Sequence, residues 1–260
     1  MERPVDRLVQ AFVGFFEQIG LLFELFASSI FWALRKPRRY GLFLLQCEFI
    51  GVGSLFIVML TGLFTGLVFA LQSSFAFAKF NAEALVGATV VISLCRELGP
   101  VLTGLMVTGR AGSAIATELG TMRVTEQIDA LETMAVSPIQ YLVVPRVLAL
   151  VVVMPMLTML FNSIGFVGAY IVGVYQAGIN PGTFIGRIQR LAELSDLLGG
   201  LAKSSVFGLM IGLVACFRGM NATGGSRGVG LAATATVVTC SVAILVVDYV
   251  LTTFIIVLTR

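Results

Sequence analysis

Histidine is absent from all 260 residues. That absence excludes a His-ligated zinc site and any catalytic triad built on an imidazole. Charge is scarce too. Asp, Glu, Lys and Arg make up 12% of the chain, about half the share of a soluble domain. The net charge of +3 is small, so it argues against a nucleic-acid partner and matters only through where the charges lie. Four cysteines, Cys47, Cys95, Cys216 and Cys240, lie far apart in or beside apolar runs. Their spacing fits buried thiols and neither a disulfide framework nor a metal knuckle, so no metal is expected. No internal repeat or low-complexity tract divides the chain, which reads as one domain over residues 1–260.

What fills the sequence instead is apolar surface, at 58% of residues. Residues 49–78 and 147–186 contain no charge at all, and a membrane-spanning helix needs only about 20 apolar residues. The runs are continuous and do not alternate, so they predict helices rather than a barrel. The fold class expected is an all-α polytopic membrane protein.

The first segment, about residues 7–34, has acidic residues in its apolar part and no small-residue cleavage site, unlike a signal peptide. Gln10, Glu17 and Glu24 recur every seven residues, one narrow polar stripe beside a broad face of Phe12, Phe16, Ile19, Leu22, Phe23 and Phe26. This predicts a helix at the membrane interface or packed on the bundle, with a full span as the alternative. A basic turn follows at Arg35, Lys36, Arg38 and Arg39 around Pro37. Five spans are then expected, at about residues 49–71, 85–108, 198–217 and 229–257 and, as the third, from just after Arg146 to near Tyr170 or Tyr175. Residues 73–83 read as a short loop, 110–136 as a segment outside the membrane, and Asn180-Pro181-Gly182 as a turn before a short polar helix or loop with Arg187, Arg190, Glu193 and Asp196. If the turn at 35–39 is cytoplasmic, so are Arg110, Arg123, Arg146, Arg218 and Arg227, which satisfies the positive-inside rule with the N-terminus inside and the C-terminus outside.

Four ionisable residues fall within the predicted spans: Arg96, Glu97, Lys203 and Asp248. Each costs at least about 2.5–3.5 kcal/mol at a helix centre, so mutual pairing is expected. Glu97 against Lys203 and Arg96 against Asp248 is one arrangement, although the sequence does not choose between pairings. The pairs either hold the bundle together or form a polar spot in a substrate cavity. Pro100 cannot donate a hydrogen bond to the carbonyl of Arg96 and crowds it, so a loosened turn is expected there. Pro155 does the same to the carbonyl of Val151.

Small residues crowd residues 104–120, including Gly104, Gly109, Gly112 and Gly120, and allow close helix approach, as Gly62-xxx-Gly66 does earlier. GRAGSA matches neither phosphate-cradling pattern. Thr125 is placed to cap a short helix with Glu126 and Gln127 in its first turn. Val124, Ile128, Leu131 and Ala135 line one face of that helix; Glu126, Asp129, Glu132 and Thr133 line the other. It is either a solvated cover for the bundle or a docking element for a soluble partner.

The run RELGPVLTGLMVTGRAGSAIATELGTMRVTEQIDALETM, followed by SPIQYLVVPRVLA, closely resembles the MlaE (YrbE-type) permeases of MCE lipid-transport systems. The resemblance extends to Leu71-Gln72, to AKSSVFG around Lys203 and to VVDYVLT around Asp248, and covers nearly the whole chain. It implies an interfacial N-terminal helix at residues 1–40 and a five-span bundle at 41–260, in a homodimeric subunit of a bacterial inner-membrane ABC transporter. It further implies two cytoplasmic ATPases (MlaF-like) docked on the helix at Thr125, Glu126, Asp129 and Glu132, so that ATP is bound by the partner and no cofactor by this chain. A periplasmic ring of MCE-domain subunits (MlaD-like) and often a STAS-domain protein (MlaB-like) complete such systems. Their cargo is phospholipid, serving outer-membrane lipid asymmetry or supply. Arg96, Glu97, Lys203 and Asp248 correspond to the family's intramembrane charges, and the lipid pocket is expected at Phe69, Ala76, Phe77 and Phe80. Here SSFAFAKF departs from the aliphatic and tyrosine residues of relatives.

The chain is thus expected to be a transport subunit without catalytic residues. The competing readings are a proton-coupled secondary transporter or channel that titrates Glu97, Lys203 and Asp248, and a purely structural anchor.

Overall fold

A computed structural model of the chain describes residues 4–35 and 39–258. Lys36, Pro37, Arg38 and Arg260, and the side chains of Gln10, Phe12, Phe16 and Ile19, lie outside the described residues. Eight helices follow one another: α1 Pro4–Leu34, α2 Tyr40–Ala78, α3 Glu83–Val124, α4 Gln127–Thr133, α5 Ile139–Gln176, α6 Pro181–Leu191, α7 Leu194–Met220 and α8 Gly225–Leu258. Among the described residues there is no strand. Five of these helices, α2, α3, α5, α7 and α8, are long and apolar enough to cross a bilayer.

The spans are longer than the apolar runs predict, because helix continues wherever backbone bonding is uninterrupted. SSFAFA is the last part of α2 rather than a loop. Residues 108–124 do not leave as irregular chain; they extend α3 to 42 residues, roughly 60 Å at about 1.5 Å per residue. Two widened turns interrupt α3, with π-type bonding at Leu94–Leu98 and Thr108–Gly112. Such turns mark places where a helix accommodates strain or function. The second presents Arg110 to α2, where its guanidinium lies over the Phe49 ring and donates to the Phe49 carbonyl.

Packing rests on small residues. The buried face of α2 repeats every four positions, at Ile50, Ser54, Val58, Gly62, Gly66, Ala70 and Ser74, a ridge that runs nearly along the helix. Gly66 lies on the backbone of Gly165, where a Cβ would collide with the Gly165 carbonyl, and a Cβ at Gly62 would come within 2.8 Å of the Phe161 carbonyl oxygen. The Gly62–Gly66 pair is therefore a backbone-to-backbone contact with α5. The glycines along α3 instead make room for side chains of α7, α8 and the turn between them: Gly104 faces Phe207 and Ile244, Gly112 faces Ile211, and Gly120 faces Ala222 and Val229.

The short helices close the two ends. Asn180 caps α6, accepting from the backbone of Gly182 and Thr183. Phe184 then anchors α6 in a slot kept open by Gly87 and Gly173, edge-on to Tyr170 at 5.7 Å. At the opposite, basic end, α1 lies across the bundle with Glu17 and Glu24 exposed and Leu22, Leu25 and Phe26 partly buried.

Candidate functional site

Three features stand out: a buried ion cluster at the α6 end, an open groove on α2, and the α3–α4 turn at the basic end.

The cluster starts from Pro100. Without an N–H it leaves the Arg96 carbonyl free, and the π-type turn Leu94–Leu98 widens the helix at that point. Gly200 of α7 packs directly on the neighbouring Cys95 carbonyl, which only a residue without Cβ permits. One turn further along α7, Lys203 is therefore carried against α3. Its ammonium donates to the freed Arg96 carbonyl at 3.0 Å, to Glu97 Oε2 at 2.9 Å, to Asp248 Oδ1 at 3.2 Å and to Thr252 Oγ1 at 2.6 Å. The Lys203 side chain is only 4% exposed. An ammonium so deeply placed is tolerated because every N–H has an oxygen to meet.

Glu97 faces Lys203, as one of the sequence arrangements has it. Arg96 does not face Asp248. Its guanidinium pairs with Asp196 Oδ1 at 2.6 Å, and Asp248 joins Glu97 on Lys203. Adjacent residues on a helix diverge by about 100°, which separates Arg96 from the Lys203 side. Asp196 also belongs to the long helix α7 rather than to a separate short polar helix or loop. Its Oδ2 accepts from the Glu193 backbone in a capping box that starts the helix, so one buried carboxylate both starts α7 and fixes Arg96. A signal for Asp196 was present in the sequence: Asp196, Gly200 and Lys203 are spaced four and three apart, one face of a helix. The cluster holds two cations and three anions. Four of the five, Arg96, Glu97, Asp196 and Lys203, line a cavity of about 380 Å³ together with Glu193, Ser195 and Gly199.

The groove runs along the other side of the bundle. Leu60, Thr61, Phe64, Thr65, Val68, Phe69 and Gln72 of α2, with Leu98 of α3, enclose about 610 Å³, open on one side. Of the pocket residues expected from sequence, Phe69 lines it. Phe77 is partly buried beyond its end, and Ala76 and Phe80 are exposed and contribute nothing to it. The groove is centred about two turns nearer the basic end than the expected position, because α2 runs on as helix to Ala78 and places Ala76 and Phe77 at its end. Thr61, Thr65 and Gln72 escape a search for apolar residues; their spacing with Phe64, Val68 and Phe69 on one helical face is the usable signal.

At the basic end Thr125 is the C-cap that follows α3, not the cap of α4: its hydroxyl returns to the Thr121 carbonyl. Glu126 turns the chain in the left-handed region at φ 59° and opens α4. Ile128 is buried, while Glu126, Asp129 and Glu132 are exposed and Asp129 pairs with Arg123. Of the apolar face, Ile128 and in part Leu131 pack on the bundle while Val124 and Ala135 stay exposed, beside the acidic side chains that α4 presents outward.

The profile of the family described as Permease MlaE matches residues 43–254. The chain belongs to the MlaE permease family. It is 39% identical over 253 residues to the intermembrane phospholipid transport system permease protein MlaE of Haemophilus influenzae, covering 95% of each chain. A probable ABC transporter permease protein of Rickettsia bellii is 44% identical over 231 residues, 88% of this chain and 89% of that one. The chloroplastic protein TRIGALACTOSYLDIACYLGLYCEROL 1 of Arabidopsis thaliana is 36% identical over 236 residues, 90% of this chain and 67% of that one. MlaE membership and five apolar helices make this chain a multi-pass inner-membrane transport component of an ABC permease type. The matched residues include all four intramembrane charges, the groove on α2 and the α3–α4 turn.

Proposed function

We propose that this MlaE-family chain is the membrane subunit of an ATP-driven phospholipid transporter, acting as a homodimer with its basic end in the cytoplasm and its C-terminus in the periplasm. The observation that carries the reading is the groove on α2. It offers an apolar wall of Leu60, Phe64, Val68 and Phe69 for acyl chains, with Thr61, Thr65 and Gln72 as hydrogen-bonding groups for an ester or headgroup. A second copy facing it would turn an open trough into an enclosed pocket. The name of the Haemophilus influenzae relative supports phospholipid as the cargo.

In this reading two copies of a soluble ATPase bind at the α3–α4 turn, through the acidic side chains of Glu126 and Glu132, and supply the ATP that this chain does not bind. A periplasmic MCE-type ring, and a STAS-type partner on the ATPase, complete the assembly. Force applied at α4 reaches the groove through α3, whose two π-type turns are the points where it yields. Lys203 holds α3, α7 and α8 together at the far end, so that α3 pivots rather than detaches. The chain carries no chemical step.

The test is phospholipid transfer in proteoliposomes holding the chain with its ATPase. Thr65→Trp, which fills the groove, is expected to reduce transfer to the level seen without ATP while hydrolysis continues. Unchanged transfer by that variant contradicts the assignment of the groove.

A further inference from the structure

At the basic end, the junction of α1 and α2 forms a second cavity that the transport reading does not use. Trp32, Ala33, Arg35, Arg39, Tyr40 and Phe43 form one side, and Gln140, Val144, Pro145 and Leu148 of α5 the other, around about 340 Å³. Its charge is of one sign: two guanidinium groups and no carboxylate line it. Among the described residues neither arginine has an acidic partner. Each is instead held over aromatic rings, Arg39 at 4.6 Å from Tyr141 and Arg35 at 5.0 Å from Phe31 and 5.6 Å from Trp32. Stacking fixes a guanidinium while leaving its N–H fork free for a planar or tetrahedral anion. The amide Nε2 of Gln140, on the same lining, is buried with no acceptor. Below these donors the wall becomes apolar at Phe43, Val144 and Leu148.

Cations at the mouth, an unused donor within and an apolar wall beneath match one kind of ligand: an anionic amphiphile lying along the bundle, its phosphodiester at the arginines and an acyl chain against α5. The tryptophan and tyrosine at the mouth suit the level where bilayer headgroups lie. We propose that the groove between α1, α2 and α5 is a binding site for an anionic phospholipid of the leaflet at the basic end, selected through Arg35 and Arg39. It is distinct from the groove on α2 and independent of whether that groove carries cargo. Such a lipid would fix the angle at which α1 leaves the bundle, since α1 supplies Trp32, Ala33 and Arg35 while α2 and α5 supply the rest.

Trp32 is the only tryptophan of the chain, so its fluorescence reports on this groove alone. The full chain is reconstituted in vesicles, and quenching is compared for phosphatidylglycerol and phosphatidylcholine brominated on the acyl chains, each titrated into unbrominated phosphatidylcholine. Phosphatidylglycerol is expected to quench at about thirtyfold lower mole fraction, since each arginine near a lipid surface is worth about a factor of five. Arg35→Gln combined with Arg39→Gln abolishes the preference. Ala33→Phe, which fills the groove and keeps both arginines, abolishes it as well. Equal quenching by the two lipids overturns the proposal. So does a preference that survives Ala33→Phe, because the arginines would then act only as surface charge. Reversal of the preference by millimolar inorganic phosphate also overturns it, since the site would then read free phosphate rather than lipid.

Discussion

Lys203 donates across 3.0 Å to the carbonyl oxygen of Arg96, and Pro100, four residues beyond Arg96, has no N–H to offer that oxygen. A defect in one helix is thereby filled by the side chain of another. The same ammonium pairs with two carboxylates, so backbone bonding and ion pairing at this point cannot be separated.

Replacing Lys203 by Met removes all of these at once. It leaves Glu97 and Asp248 facing each other and the Arg96 carbonyl without a partner. Breaking a buried pair from one side costs about 3–5 kcal/mol, and the partial exposure of Glu97 places this variant toward the lower end. Denaturant unfolding of the purified chain in detergent measures it. Combining Lys203→Met with Glu97→Gln and Asp248→Asn is expected to recover part of the loss, whereas a purely additive loss contradicts the pairing.

Gly200→Ala tests the approach that brings Lys203 to α3. The added methyl meets the Cys95 carbonyl, and overpacking of this kind costs about 1–3 kcal/mol. The same change at Gly199, where the nearest atom lies 3.9 Å away, is expected to be close to neutral in the same unfolding assay.

The two ends of the Arg96–Asp196 pair are unequal. Arg96 is 54% exposed and Asp196 5%. Arg96→Gln keeps an amide that can donate to the buried Asp196 carboxylate, so it is expected to cost about 1 kcal/mol. Asp196→Ala also removes one of the two bonds of the α7 capping box, worth about 1 kcal/mol by itself, and leaves Arg96 unpaired. The alanine variant therefore unfolds at the lower denaturant concentration. The reverse order contradicts the dual role of Asp196.

Much of this was legible in the sequence. Continuous apolar runs betrayed five spans, and charges within them had to find one another, as Glu97 and Lys203 do. Three features were hidden for physical reasons. A π-type turn has no residue signature, so nothing in TGRAG at 108–112 showed that α3 continues as helix to Val124. The partner of Arg96 lies 100 residues away, in a segment polar enough to pass for a loop. Thr125 had the composition of an N-cap, but the left-handed turn at Glu126 had taken that position.

At the basic end, Glu126→Lys with Glu132→Lys is expected to prevent co-purification of the partner ATPase. Both residues are exposed and without an ion pair among the described residues, so unfolding of the isolated chain is expected to shift by no more than about 0.5 kcal/mol. Ile128→Ala is the contrasting variant. It opens a space beneath α4 and costs about 2–4 kcal/mol. An intact complex from the double lysine variant contradicts the docking assignment.

The central claim is that phospholipid occupies the groove on α2 and is moved from it by ATP. A photo-crosslinking residue at Thr65, in the groove, is compared with one at Val242, exposed on α8. With the chain and its ATPase in one bilayer, phospholipid adducts at both sites are quantified by mass spectrometry before and after ATP. The account predicts that adducts at Thr65 change on ATP addition while those at Val242 stay constant. Equal behaviour at the two positions, with hydrolysis under way, contradicts it.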